Sequence, residues 1–166
     1  QKNGRFVEQA KVFGLSDNGY STQSYFFDYD LDGDLDMYLV NHSIRFFAPQ
    51  EKLFELQGNP QEDESDKLYV NNGNGTFEEV SKKAGINHFG FGLSASISDF
   101  NNDGLPDIYV ANDFFEPDYL YQNNGDGTFV NVLSESIGHT SFSSMGSDAA
   151  DFNNDGFVDL MVCDMQ

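Results

Sequence analysis

Small and apolar residues alternate with polar ones in "LSASISD" (93–99), the period-two pattern of a half-buried strand, and "GSDAAD" (146–151), equally rich in small residues, stands at the same place in the next copy. Runs rich in β-branched or aromatic residues follow, "DMYLVN" from Asp36, "DIYVAN" from Asp107 and "DLMVCD" from Asp159. Then come "KLYVNN" and "DYLYQN", and turns rich in Asn and Gly, "NNGNGTFEEV" and "NNGDGTFVNV", that lead into a fourth strand. The spacing predicts four short antiparallel strands per unit. One helical turn is expected in "EEVSKKAGI", ended by Gly85.

The unit recurs. Phe6 and Phe77, each in an Asn-Gly-x-Phe context, and Phe129, in Asp-Gly-Thr-Phe, precede Asp28, Asp99 and Asp151 by 22 residues in every case. The second and third copies lie 52 residues apart and the first and second 71, so the first carries 19 extra residues, between Asn41 and Asp66. Four strands in a repeat of about fifty residues is the signature of a β-propeller blade. The expected organisation is all-β and within one domain: residues 1–20 close one blade and its link, 21–80 form a blade with the insertion 41–66, 81–132 form a second blade, and 133–166 begin a third. Since so few blades cannot close a ring, the chain is expected to be a partial propeller belonging to a longer protein.

Between strands 1 and 2 of each unit stands the pattern D-x-[DN]-x-D-G-x-x-D. Alternate side chains of a tight loop converge, so oxygens at positions 1, 3, 5 and 9 and the carbonyl of position 7 can surround one Ca²⁺, and glycine at position 6 permits the reversal. The three predicted sites are Asp28, Asp30, Asp32 and Asp36 with the carbonyl of Asp34; Asp99, Asn101, Asp103 and Asp107 with that of Leu105; and Asp151, Asn153, Asp155 and Asp159 with that of Phe157. A donor set of oxygens alone suits calcium and disfavours zinc or copper. An EF-hand is excluded, because position 12 is Leu39, Val110 or Val162 instead of Glu and the flanks read as strands.

Charge agrees with this. The chain of 166 residues carries 28 acidic against 8 basic residues, net −20, which argues against nucleic acid and anionic lipid as partners. With 25 aromatic residues (17 Phe, 8 Tyr) it is a folded acidic protein, not a solvated tail. No apolar run approaches the ~20 residues of a membrane span, so no direct insertion is expected. The lone Cys163 cannot form an internal disulfide and reads as a buried small residue of a strand.

These motifs resemble the FG-GAP or VCBS repeats of integrin α-subunit propellers and of many secreted or surface bacterial proteins. Phrases such as "LYVNNGNGTFEEVSKKAGI" and "DYLYQNNGDGTF" are more closely similar to the repeat region of the ASPIC/UnbV, cartilage-acidic-protein-like group. The resemblance implies a propeller, usually of seven blades, with calcium between strands 1 and 2 of certain blades. It points to an extracellular or cell-surface scaffold that recognises a protein or glycan, including an accessory role in a bacterial outer-membrane uptake or adhesion complex. The third unit departs from the pattern, reading "SIGHT" where the second has "AGINH".

Blade topology puts the loops between strands 2 and 3 and the inter-blade links on the face opposite the acidic loops. His42, His88, Asp113, Glu116 and His139 fall there and form a candidate ligand face, beside an insertion that carries Phe46, Phe47 and Phe54. An alternative function uses the histidines of that face as acid, base or ligand in a propeller-type polysaccharide lyase or sugar dehydratase. The scaffold reading is preferred because no nucleophile motif stands outside the acidic loops.

Overall fold

A computed structural model describes residues 3–45, 47–114 and 116–165. Two four-stranded antiparallel sheets follow one another in the chain. The first is β1 (Ser21–Phe27), β2 (Asp36–Asn41), β3 (Lys67–Asn71) and β4 (Phe77–Glu79); the second is β5 (Gly92–Ser98), β6 (Asp107–Asn112), β7 (Tyr119–Asn123) and β8 (Phe129–Asn131). A two-stranded sheet of β9 (Ser144–Ala150) and β10 (Asp159–Asp164) comes third. In each, the innermost hairpin closes at an equivalent pair, Phe27 with Asp36, Ser98 with Asp107 and Ala150 with Asp159. The acidic stretches are therefore the tips of those hairpins.

The sheets stack face to face, and strand periodicity divides the core accordingly. From β2, Tyr38 and Val40 point into the layer shared with Ile108, Val110 and Tyr121 of the second sheet. Met37 and Leu39 point the other way, onto Tyr69, Leu15 and Phe77. The second sheet repeats the division, with Tyr109 and Ala111 facing Leu160 and Val162 of β10. A strand covered on both faces must be apolar throughout, which is why these runs do not alternate with charge.

Short helices link the sheets: α1 (Ala10–Phe13) before the first and α3 (Ser81–Ala84) before the second. Gly85 ends α3 with φ +81°, and a Cβ there would lie 2.8 Å from the carbonyl oxygen of Phe129, so the position admits only glycine. In α4 (Leu133–Ser136) the one-residue shift of the glycine has a consequence: the cap residue is Ile137 in extended conformation, and the left-handed cap is gone.

The insertion contains regular structure among its described residues. It forms helix α2 (Gln50–Gly58) and a 3₁₀ turn at Glu62–Glu64. Leu53 and Leu56 of α2 are buried against Phe89 and Phe91, just before β5, while Phe47 and Phe54 are exposed; Phe46 lies outside the described residues. Around Phe6 the described residues form a turn at Asn3 and Gly4 without a named strand, and Phe6 is exposed.

One sequence reading is corrected. Cys163 is exposed, because β10 pairs only with β9 and, among the described residues, nothing packs over its outer face.

A buried polar clamp, unforeseen from the motifs, fastens the middle of each full sheet. Asp66 accepts the Tyr38 hydroxyl at 2.6 Å and the Asn41 amide at 2.7 Å. Asp118 does the same for Tyr109 and Asn112. Tyrosine and aspartate stand 28 residues apart in one sheet and 9 in the other, so the whole 19-residue excess is looped out between strands 2 and 3. Burial pushes the Asp66 carboxyl up to about 6, against the opposing pull of its hydrogen bonds.

The native state thus holds this proton more tightly than an unfolded chain, where an aspartate titrates near ~3.9. Its contribution to stability is full below about pH 4 and is withdrawn as pH rises through about 6. Asp66→Asn removes that dependence. Urea unfolding should show the stability of the wild type relative to Asp66→Asn falling between pH 4 and 7; a constant difference would contradict the assignment.

Candidate metal centre

The three hairpin tips share one hydrogen-bond scheme. Asp28 accepts the amides of Asp32 (3.0 Å) and Gly33 (3.0 Å). Asp99 accepts those of Asp103 and Gly104, and Asp151 those of Asp155 and Gly156, at 2.8 to 3.1 Å. The closing aspartate turns one oxygen back to the loop: Asp36 to the Tyr29 amide, Asp107 to Phe100 and Asp159 to Phe152. In the two full sheets its other oxygen holds the start of the 3–4 turn, at the amides of Asn71 and Asn123. These bonds cross the sheet, so the ladder of strands 2 and 3 sets the geometry of the loop.

Two backbone positions make the reversal. The expected glycine at position 6 has φ of +95°, +90° and +88° at Gly33, Gly104 and Gly156. Position 4 is also left-handed, at Leu31 (+61°), Asn102 (+59°) and Asn154 (+61°), which the motif did not reveal. Asparagine tolerates this conformation and leucine does not, so the first tip carries strain that the other two avoid.

The first tip is also the most crowded. Asp28, Asp30 and Asp36 place carboxylate oxygens within 4.8 Å of one another, a group that can hold a metal ion. Burial raises the carboxyls of Asp30, Asp34 and Asp36, with added repulsion from neighbouring loop carboxylates, and Asp36 reaches about 6. One oxygen of Asp34 is buried without a hydrogen-bond partner among the described residues. The described ion pairs of the chain, Arg45 with Glu64 and Lys52 with Glu55, lie elsewhere. A cluster of hard anionic oxygens that forms no ion pair with a described protein cation fits a hard divalent cation.

In the other tips asparagine at position 3 relieves part of this repulsion. Asn101 donates to Asp103 at 2.8 Å and Asn153 to Asp155 at 3.0 Å. Leu105 and Phe157, whose carbonyls the motif nominates, each give the amide to the aspartate at position 5.

The residues nominated for the opposite face separate into three places. Glu116 is buried, takes Gln57 Nε2 of α2 at 2.7 Å and lies 2.7 Å from the Tyr119 hydroxyl, and burial raises its carboxyl. His88 packs on Tyr119 and Tyr121, with Nδ1 2.8 Å from the Tyr121 hydroxyl, and burial lowers its pKa. Tyr119 therefore joins His88 to Glu116. His42 stands edge-on to Phe91 with Nδ1 buried and without a partner among the described residues, and Asp113 bonds the adjacent Phe114 amide. His139 is exposed in the link before β9 and makes no described contact with the others.

Stacked four-stranded sheets with acidic hairpin tips define a class of repeat protein, the all-β chains whose strand 1–2 turns are built from aspartate, asparagine and glycine. The family described as FG-GAP-like repeat matches residues 57–110 and again 99–162, and the chain belongs to it. Cartilage acidic protein 1 of Xenopus tropicalis is 34% identical over 83 residues, which is 49% of this chain and 13% of that protein. The Homo sapiens protein of the same name is 32% identical over 84 residues, 50% of this chain and 13% of its own length. The aligned stretch thus spans only a small part of these relatives. Among the described residues no helix is long and apolar enough to cross a membrane.

Proposed function

We propose that the chain is a run of blades from a β-propeller, divided at residues 20, 80 and 132, in which calcium staples three hairpin tips and the whole serves as an extracellular recognition scaffold. The observation that carries this reading is the acidic tip repeated three times on one hydrogen-bond scheme, with Asp28, Asp30 and Asp36 converging within 4.8 Å. Asp28, Asp99 and Asp151 open the three sites; the closing Asp36 and Asp107 orient two of them through the sheet, and Asp159 holds the third through the Phe152 amide. The ions serve stability and shape. Three of them would bring the net charge from −20 to −14 at the points of strongest repulsion.

Recognition of a protein or glycan, including a role in a bacterial outer-membrane uptake or adhesion complex, is the function we draw by analogy from the repeat family. The enzymatic alternative draws no support from the geometry, since His88 is engaged by Tyr121 and His139 stands apart from it.

Isothermal titration of protein stripped with a chelator should show three calcium equivalents. Asp103→Ala should remove one and leave two. Absence of calcium heat would defeat the reading, and loss of all three sites in Asp103→Ala would deny that the tips are independent.

A further inference from the structure

All eight lysines and arginines lie in the first 83 residues, and one of them is placed against expectation. Lys67, the first residue of β3, is only 8% exposed, and its ammonium makes no hydrogen bond or ion pair among the described residues. Its chain neighbour Asp66 commits both oxygens to Tyr38 and Asn41. Lys67 feels the charge of the neighbouring Asp66 but forms no direct ion pair among the described residues, although the chain carries 28 acidic residues. The repeat does not require the charge. The equivalent residue of β7 is Tyr119, uncharged and hydrogen-bonded at both Phe89 and Glu116.

Among the described residues the Lys67 ammonium is not one of the sealed, unpartnered atoms, so it keeps contact with solvent, and Lys67 lines two clefts. The more enclosed of these, of about 320 Å³, lies between the exit of the insertion and α3. Asn59, Glu62, Lys67, Glu79, Lys82 and Asn87 line it. Glu79 turns one oxygen to the Ser81 amide at 2.7 Å instead of to Lys67. In α4 the residue equivalent to Lys82 is Ser134, so the second repeat carries neither positive charge.

We infer that this cleft binds a sugar bearing a carboxylate. Lys67 and Lys82 would receive the anionic group, while Glu62 and Glu79 accept hydroxyl protons and the two asparagines serve as donor or acceptor. Sulfate offers no hydroxyl to the two glutamates, whereas a sugar acid carries its carboxylate at one end and hydroxyls along the rest of the ring. The volume lies at the lower end of small-molecule sites and suits a single sugar unit. The inference names a ligand class for the recognition role proposed above and rests on that role.

The test titrates the calcium-saturated chain with glucuronate and with glucose, following amide chemical shifts. Glucuronate should bind at least tenfold more tightly than glucose and shift the amides of Lys67, Lys82 and Asn87. Lys67→Met should weaken glucuronate at least tenfold and melt close to the wild type, because methionine keeps the packing of the largely buried stem and the lost ammonium forms no ion pair among the described residues. Lys82→Glu, an exposed change, should weaken it too. Equal binding of the two sugars, no glucuronate binding, or binding that survives Lys67→Met would overturn the proposal. Calcium uptake measured on the same samples separates this outcome from failure of the calcium reading.

Discussion

Asp118→Ala is expected to destabilise the protein by about 3 to 5 kcal/mol, because it strands three buried donors at about 1 to 3 kcal/mol each before relaxation. Asp118 is fully buried and accepts the Tyr109 hydroxyl, the Asn112 amide at 2.7 Å and the Ser144 hydroxyl at 2.9 Å. Tyr109 and Asn112 belong to its own sheet and Ser144 begins β9, so one carboxylate fastens both the sheet and its neighbour. The matching change at Asp66 should cost less. Its third partner is absent, because Gly92 occupies the place of Ser144, and a Cβ there would come within 2.6 Å of Val40. Chemical denaturation of Asp118→Ala, Asp66→Ala and Asp118→Asn checks this order. Asp118→Asn should be the mildest, since the side-chain carbonyl it keeps can still accept from the Asn112 amide. Equal losses for the two alanine variants would contradict the role given to Ser144.

Calcium withdrawal should have the second large effect. For dissociation constants of about 10⁻⁴ to 10⁻³ M, as in extracellular modules, millimolar calcium adds on the order of 1 kcal/mol per site. Three sites then give about 3 kcal/mol, or a rise in Tm of roughly 6 to 12 °C for a domain of this size. Asp30→Asn should reduce the calcium-dependent shift most among changes at position 3, since the other two loops already hold Asn101 and Asn153 there. It should also raise the Tm of the calcium-free protein by relieving repulsion with Asp28 and Asp32. Melting curves with calcium, with magnesium and with chelator test both statements. A Tm indifferent to calcium would leave the acidic tips without the role assigned to them.

Much of this architecture is legible in the chain. Strand runs, hairpin tips and the link at Gly85 are local: each is written in a few consecutive residues whose backbone preferences or side-chain alternation act over one or two turns. Spacing made the acidic tips readable as a repeated candidate site. Leu31 was missed because a left-handed leucine contradicts its own preference, and only the closed loop imposes it. Cys163 misled because a strand pattern announces a buried face without saying what covers it.

The sequence by itself determined the four-strand unit, its repetition, the position of the extra residues and the donor types at each tip, since these depend on short-range periodicity and on side-chain chemistry. Only the tertiary structure decided that the insertion docks Leu53 and Leu56 onto Phe89 and Phe91, that Asp66 and Asp118 clamp tyrosines up to 28 residues away, and that Lys67 stands buried with its ammonium unpaired among the described residues. The reason is physical. Burial and hydrogen-bond partnership arise from groups brought together by stacking sheets, and no local pattern records which distant side chain will fill the space.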